Sequence, residues 1–187
     1  MSSHHIVKEK QEPALYIHEL GSFDEEYLGQ LLEWSPTIIT SAQEYEKVIS
    51  LGLKVDFVIG DIDASLLQEH TKVITAGGSS MDTALRYLIA EKYPAVNIIS
   101  KVSKFDDLID FVPYINIVLF TGNEKYYVIK KDFSVWKPKD SIFLIDIISY
   151  FETDNLEQQE DGTFVVIEDG MVSFNFNTPF LFIGERI

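Results

Sequence analysis

Two aspartates that stand one residue apart are the strongest candidates for chemistry in this sequence. Residues 57–59 form a short apolar run, typical of a buried parallel strand, and Gly60, Asp61 and Asp63 follow it. Ligands of open α/β sheets bind beyond the carboxyl ends of the strands, and alternate residues of an extended segment point the same way. Both carboxylates could therefore face one Mg²⁺ ion, which carboxylates and phosphate oxygens commonly hold together. The alternative is an acidic turn that is simply solvated.

A second candidate lies further along the chain, where glycines precede a predicted helix. The segment consists of Gly77, Gly78, Ser79, Ser80, Met81 and Asp82. Backbone N–H groups ahead of a helix N-terminus can bind an anion, so the glycines and serines are candidate phosphate ligands. The alternative is ordinary helix capping, because Ser and Asp are favoured at helix starts. The segment is not a Walker loop, since it lacks Gly-Lys-Ser/Thr.

The composition restricts the partners and the chemistry. Fifteen Lys and Arg residues stand against thirty Asp and Glu residues, which gives a net charge of −15. This charge argues against nucleic acid and anionic membranes as partners, because both require clustered positive charge. The absence of cysteine excludes disulfides, thiolate zinc sites, iron–sulfur clusters and a cysteine nucleophile. A polar N-terminus and the lack of long apolar runs predict a cytoplasmic protein without a membrane span.

The histidines and tryptophans of the sequence give weaker indications of a functional site. His4 and His5 could form a weak metal pair, but a flexible polar terminus is the simpler interpretation. His18 has no ligand partner at metal-binding spacing, so we expect a core or surface histidine. Trp34 is expected in the core, and Trp136 is expected to be packed rather than to stack on a ligand.

The first part of the chain alternates strand and helix patterns. Strands are predicted at 14–18, 37–40, 57–59, 72–75 and 96–100, and helices at 42–50, 80–93 and 106–111. A further helix is predicted after Ser22, with Ser22 as N-cap and Glu25 completing a capping box. This order predicts an α/β fold with a doubly wound, mostly parallel sheet.

After Pro113 the helical period disappears. Strands are predicted at 115–120, 125–130, 141–148, 163–167 and 171–176, and the acidic stretch 152–161 is expected to be an exposed loop. This pattern predicts a small all-β, sandwich-like module at the C-terminus. The predicted domains are residues 13–125 and 126–187.

The segment around Gly60 resembles thiamine pyrophosphokinase. That family has a hydrophobic strand ending in Gly-Asp-Phe-Asp-Ser and, further along, a Lys-Asp-x-Thr-Asp segment that begins a helix containing Ala-Leu. Residues 56–63 are similar to the first motif, and residues 81–85, Met-Asp-Thr-Ala-Leu, are similar to the second. The order of an α/β half followed by an all-β half also resembles the family.

The resemblance implies a homodimeric enzyme that transfers pyrophosphate from ATP to thiamine with Mg²⁺. It implies that Asp61, Asp63 and Asp82 are the catalytic and metal-binding acids. The expected cofactor-binding residues are Gly60, Gly77, Gly78, Ser79 and Ser80. Two family segments, Asp-Gly-Gly-Ala and Gly-Gly-Arg-x-Asp-His, are replaced here by residues 41–44 and 100–107. The alternatives are therefore a non-catalytic relative that binds a nucleotide or a thiamine compound, and a structural protein that uses its Phe-rich strands as a dimer face.

Overall fold

Six parallel strands form the sheet of the first half of the chain. The structure, a computed structural model, describes residues 12–145 and 151–187, and His4 and His5 lie outside this range. The six strands are Ala14–Ile17 (β1), Ile38–Ser41 (β2), Phe57–Ile59 (β3), Lys72–Ile74 (β4), Ala95–Ile99 (β5) and Asn116–Thr121 (β6). Their order across the sheet is β4-β3-β2-β1-β5-β6, and all these pairs are parallel. The strand order therefore changes direction between β1 and β5.

Three α-helices connect these strands. They are Glu25–Leu32 (α1), Tyr45–Ser50 (α2) and Ser80–Ala90 (α3), and short 3-10 helices lie at Ala64–Leu66, Phe105–Asp107 and Ile109–Phe111. The N-cap of α1 is Asp24, whose Oδ1 accepts from the N–H of Tyr27 at 2.8 Å. The predicted cap at Ser22 is therefore wrong, because the turn at Gly21 and Ser22 delays the helix.

The core of this unit lies between β1 and the first two helices. All four residues of β1 are buried, and Leu15 and Ile17 belong to the same cluster as Leu28 of α1 and Val48 of α2. Burying such side chains is the main favourable term in folding. Trp34 is not part of this core, because 72% of its surface is exposed just beyond α1. The expectation of a buried Trp34 was wrong.

The second half of the chain contains only strands among its described residues. They are Glu124–Ile129 (β7), Ser134–Lys137 (β8), Ile142–Ile145 (β9), Phe151–Asp154 (β10), Leu156–Gln158 (β11), Phe164–Val166 (β12), Gly170–Phe176 (β13) and Leu181–Arg186 (β14). Antiparallel pairs give the orders β11-β12-β9-β14-β7 and β10-β13-β8. Residues of both groups of strands share one core cluster, for example Phe143 of β9 and Phe174 of β13.

In this half of the chain, the acidic stretch 152–161 differs most from the sequence prediction. It contains most of β10 and all of β11, so the prediction of a loop was wrong there. The burial of β10 alternates along the strand, and its acidic residues Glu152 and Asp154 occupy the exposed positions. Trp136 is also more exposed than expected, at 58%. Part of the predicted strand 141–148 lies outside the described residues.

The chain divides into two compact units, the first ending at Gly122 and the second spanning Asn123–Ile187. At the coarse level the prediction of an α/β fold is confirmed, and the described residues are rich in strands and poor in helices. The division into domains at residues 13–125 and 126–187 stays a prediction.

Candidate functional site

A glycine turn directs the chain away from the sheet directly after β3. Gly60 has a φ of +113°, and a Cβ at this position would lie 3.4 Å from the Cβ of Ala42. A residue with a side chain would be strained in this conformation. The turn places Asp61 and Asp63 beyond the carboxyl end of β3, and both are exposed. This position is the one that the sequence predicted.

Asp63 uses its carboxylate to organise the chain that follows it. Its Oδ1 accepts from the backbone N–H of Ser65 at 2.9 Å and from the Ser65 hydroxyl at 2.8 Å. These hydrogen bonds lower the pKa of Asp63 below its ordinary value and cap the 3-10 helix Ala64–Leu66. Asp61, in contrast, makes no hydrogen bond or ion pair with the described residues.

Asp82 is paired within its own helix. Its Oδ2 accepts from Nε of Arg86 at 2.8 Å, one turn further along α3. Residues 12–145 and 151–187 contain no group of three His, Asp or Glu side chains placed to hold a metal ion. The joint Mg²⁺ site that the resemblance implies for Asp61, Asp63 and Asp82 stays a prediction.

The segment before α3 shows capping instead of a cradle for phosphate. The Ser79 hydroxyl accepts from the N–H of Asp82 at 3.0 Å, which makes Ser79 the N-cap of α3. A Cβ added at Gly77 or Gly78 would meet nothing within 4 Å, so no close approach requires these glycines. Ser80, the first residue of α3, contacts a histidine, because its Oγ lies 3.3 Å from Nδ1 of His18.

A cavity of about 170 Å³ lies beside this serine. Its lining consists of His18, Glu19, Met81, Ser100, Val102, Lys104, Asp107, Leu108 and Leu119. We call it the β1–β5 cavity, because His18 directly follows β1 and Ser100 directly follows β5. The strand order changes direction between these two strands, and open α/β sheets bind ligands at the carboxyl ends of such strands.

Burial and the neighbouring groups shift the pKa of His18. Its Nδ1 lies 3.0 Å from the hydroxyl of Tyr16, and burial raises the pKa of Tyr16 to about 12. The phenol therefore keeps its proton. Burial also lowers the pKa of His18 below 6.5, against the opposing effects of nearby carboxylates such as Glu19 and Asp107. The lowered pKa favours the neutral form of His18.

The remaining charged groups of the β1–β5 cavity are of both signs. Glu19 and Asp107 contribute carboxylates and Lys104 contributes an ammonium group. Lys104 acts on His18 as a positive charge and lowers its pKa further. An apolar protein cavity of about 150 Å³ accommodates benzene, so about 170 Å³ is enough for one six-membered ring.

The sequence did not point to this cavity. Its lining residues come from the ends of separate elements, and only the strand order brings them together. His18 was considered as an isolated histidine, since its partner Ser80 is 62 positions away in the chain. The available signal was its place directly after the first strand pattern.

Solved structures of thiamine pyrophosphokinases share this fold. The enzyme from Bacillus subtilis superposes with a TM-score of 0.61 at 11% identity, covering 94% of this chain and 99% of that chain. The yeast enzyme gives a TM-score of 0.67 at 10% identity, covering 98% of this chain and 88% of that chain. A protein from Lactobacillus plantarum gives 0.68 at 11% identity, covering 94% and 99%.

Comparison by sequence gives no such relatives. No protein-family model matches the chain, and no curated protein matches it. The resemblance to thiamine pyrophosphokinases is thus confirmed at the level of the fold, across nearly the whole length of both chains. Within the part that the structure describes, no helix has the length and apolar character needed to cross a membrane.

Proposed function

We propose that this chain binds a small heterocyclic ligand, a thiamine compound or a nucleotide, in the β1–β5 cavity without transferring pyrophosphate. The observation that carries this proposal is the cavity itself, which lies at the strand ends where the sheet order changes direction. The hydrogen bonds of Asp63 to Ser65 and of Asp82 to Arg86 support the absence of transfer, because phosphoryl transfer needs carboxylates that are available to metal ions.

The charges favour a thiamine compound over a nucleotide. Glu19 and Asp107 suit a cationic ring, and Lys104 suits one phosphate group attached to it. A nucleoside triphosphate carries several negative charges and would meet two carboxylates and only one lysine. The volume is sufficient for a single ring, so the rest of the ligand would lie in the open mouth of the cavity.

Calorimetry with a steric variant tests this assignment. The wild-type chain is titrated with thiamine, thiamine phosphate and Mg²⁺–ATP. We expect saturable binding of a thiamine compound, and at least a tenfold loss in Val102→Trp, because the larger side chain fills the cavity. Val73→Trp is the matched control, since Val73 is similarly exposed (44% against 50%) but lies on the edge strand β4. Absence of binding, or equal loss in both variants, would contradict the proposal.

Pyrophosphate transfer from ATP to thiamine is the second candidate. It is supported by the shared fold and by Asp61, which the Gly60 turn presents at the end of β3 without a partner among the described residues. In this candidate Asp61, Asp63 and Asp82 act with Mg²⁺ as the resemblance implies. Pure protein is incubated with Mg²⁺–ATP and thiamine. If thiamine diphosphate forms with the wild type but not with Asp61→Asn, the chain is a catalyst and the proposal of binding without transfer is wrong.

We also propose a cytoplasmic homodimer, as the resemblance implies. Light scattering of the full chain measures the mass directly, and a dimer is expected at twice 21.4 kDa. The mass of a monomer would contradict both the proposed dimer and the structural role that depends on a dimer face.

A further inference from the structure

A second cavity lies within the β unit, and the functions considered above do not use it. Its volume is about 290 Å³. The residues that line it are Lys137, Pro138, Ser141, Ile142, Phe143, Glu185 and Arg186. We call it the Arg186 cavity. Ligand pockets usually range from about 300 to 1,000 Å³, so this volume corresponds to a small metabolite.

Glu185 is the one carboxylate in the lining, and three protein groups already contact it. The Tyr127 hydroxyl donates to Oε1, Nζ of Lys137 lies 2.6 Å from Oε2, and Nζ of Lys125 lies 3.6 Å from the same oxygen. Burial alone would raise the pKa of Glu185, but the hydrogen bonds from Lys137 and Tyr127 outweigh burial and lower it. Glu185 is therefore ionised, and its charge is paired with Lys137 and Lys125.

The donors of Arg186 are open, in contrast. Its guanidinium makes no hydrogen bond or ion pair with the residues that the structure describes, and it is exposed at the end of β14. Glu124 is its register partner on β7, yet the carboxylate of Glu124 accepts from the Tyr126 hydroxyl instead. Asp161 acts on Arg186 only through its charge, because its Oδ1 accepts from Thr163.

Cations outnumber carboxylates in the lining of this cavity, although the whole chain carries −15. Lys137 and Arg186 line it with one carboxylate, Glu185, which Lys137 and Lys125 already pair. Beside these cations lies an apolar wall, since Phe143 is fully buried and Nζ of Lys137 lies 5.7 Å from its ring centre. The site thus combines an unpaired guanidinium, a second cation and an apolar surface.

We propose that the Arg186 cavity binds a small oxyanion, a phosphate ester or a carboxylate, that carries an apolar group. The planar guanidinium of Arg186 offers paired N–H donors that match the oxygens of either group. Lys137 retains donor capacity beyond its bond to Glu185, and the partly exposed Ile142 would contact the apolar part. The proposal is independent of the β1–β5 cavity, because every residue it uses belongs to the second unit.

The test uses the full chain and three probes: inorganic phosphate, phenyl phosphate and benzoate. Binding is followed by calorimetry and by NMR shifts of the Arg186 side chain. We expect saturable binding of phenyl phosphate or benzoate that is tighter than that of inorganic phosphate, with the tighter of the two identifying the oxyanion. Arg186→Gln should weaken it at least tenfold, since a charge-assisted hydrogen bond contributes about 1.5–3 kcal/mol and 1.4 kcal/mol is a factor of ten.

Lys130→Gln is the matched control, because Lys130 is an exposed cation of the same unit that does not line the cavity. It should bind the probes as the wild type does. Circular dichroism verifies that both variants fold. Lack of saturable binding up to about 10 mM, where the binding energy would be below about 3 kcal/mol, overturns the proposal. Equal weakening in Arg186→Gln and Lys130→Gln overturns it as well, because it would show attraction by net charge alone.

Discussion

The hydroxyl of Tyr16 lies 3.0 Å from Nδ1 of His18, and this hydrogen bond links the interior of the sheet to the β1–β5 cavity. Tyr16 is fully buried in β1, and His18 is the first residue after that strand. The two residues stand two positions apart, so their side chains project to the same side. The buried phenol therefore contacts the cavity histidine at one ring nitrogen, Nδ1.

The pKa of His18 should respond to the charges of the cavity. Burial places it below 6.5 in the wild type, and Lys104 lowers it further. Lys104→Gln should therefore raise the pKa of His18, and Glu19→Gln should lower it, because each change removes a charge that acts on the imidazolium. NMR titration of the histidine ring measures this value. Lys54→Gln removes an exposed lysine away from the cavity lining and should leave it unchanged. A wild-type His18 that titrates at or above 6.5 would contradict the burial described here.

The same histidine should make folding stability depend on pH. A histidine whose pKa is lower in the folded chain than in the unfolded chain binds fewer protons when folded. The free energy of unfolding should therefore decrease as the pH falls from 6.5 towards the folded pKa of His18. In His18→Gln this part of the decrease should be absent. Urea unfolding of the wild type and of His18→Gln, above and below pH 6.5, measures this difference. If the free energy of unfolding changes equally with pH in both proteins, His18 does not contribute to the pH dependence.

The helix α1 offers a direct comparison of two candidate caps. Asp24→Ala should destabilise the chain by about 1 kcal/mol, since it removes the acceptor for the N–H of Tyr27. Ser22→Ala should have little effect, because Ser22 is exposed and does not cap the helix. Thermal or urea unfolding measures both. A larger loss in Ser22→Ala than in Asp24→Ala would restore the capping box that the sequence suggested.

The start of α1 also illustrates how far the sequence determines the fold. Ser22 and Glu25 have the right types and spacing for a capping box, but the structure places the helix start at Asp24. Local patterns located β3 at Phe57–Ile59, because a short apolar run between turn residues is distinctive. They did not reveal β10, since its exposed acidic residues conceal the alternation and only pairing with β13 defines the strand. Long-range pairing of this kind leaves little trace in a single sequence.

The candidate site, too, was predictable from the sequence only in part. Gly60 and Asp61 were expected at the end of β3, and they lie there. Asp63 was expected to face an ion, but Ser65 is only two positions away and supplies two donors to it. The β1–β5 cavity could not be predicted from spacing, because it depends on β5 lying next to β1. Which strands become neighbours is decided by the packing of the whole unit.

Gly184 of β14 provides the sharpest packing prediction. A Cβ at this position would lie 2.6 Å from Cδ1 of Tyr126 and 3.1 Å from the Cβ of Leu144, which are on the two neighbouring strands. Gly184→Ala should therefore displace the Tyr126 ring and destabilise the chain by about 1–3 kcal/mol. Gly29→Ala is the control, because Gly29 lies inside α1 with nothing within 4 Å of an added Cβ. That change should stabilise the chain by about 0.5–1 kcal/mol, since alanine favours helix over glycine. Urea unfolding measures both, and a Gly184→Ala chain as stable as the wild type would show that the strands flanking β14 leave room for a methyl group.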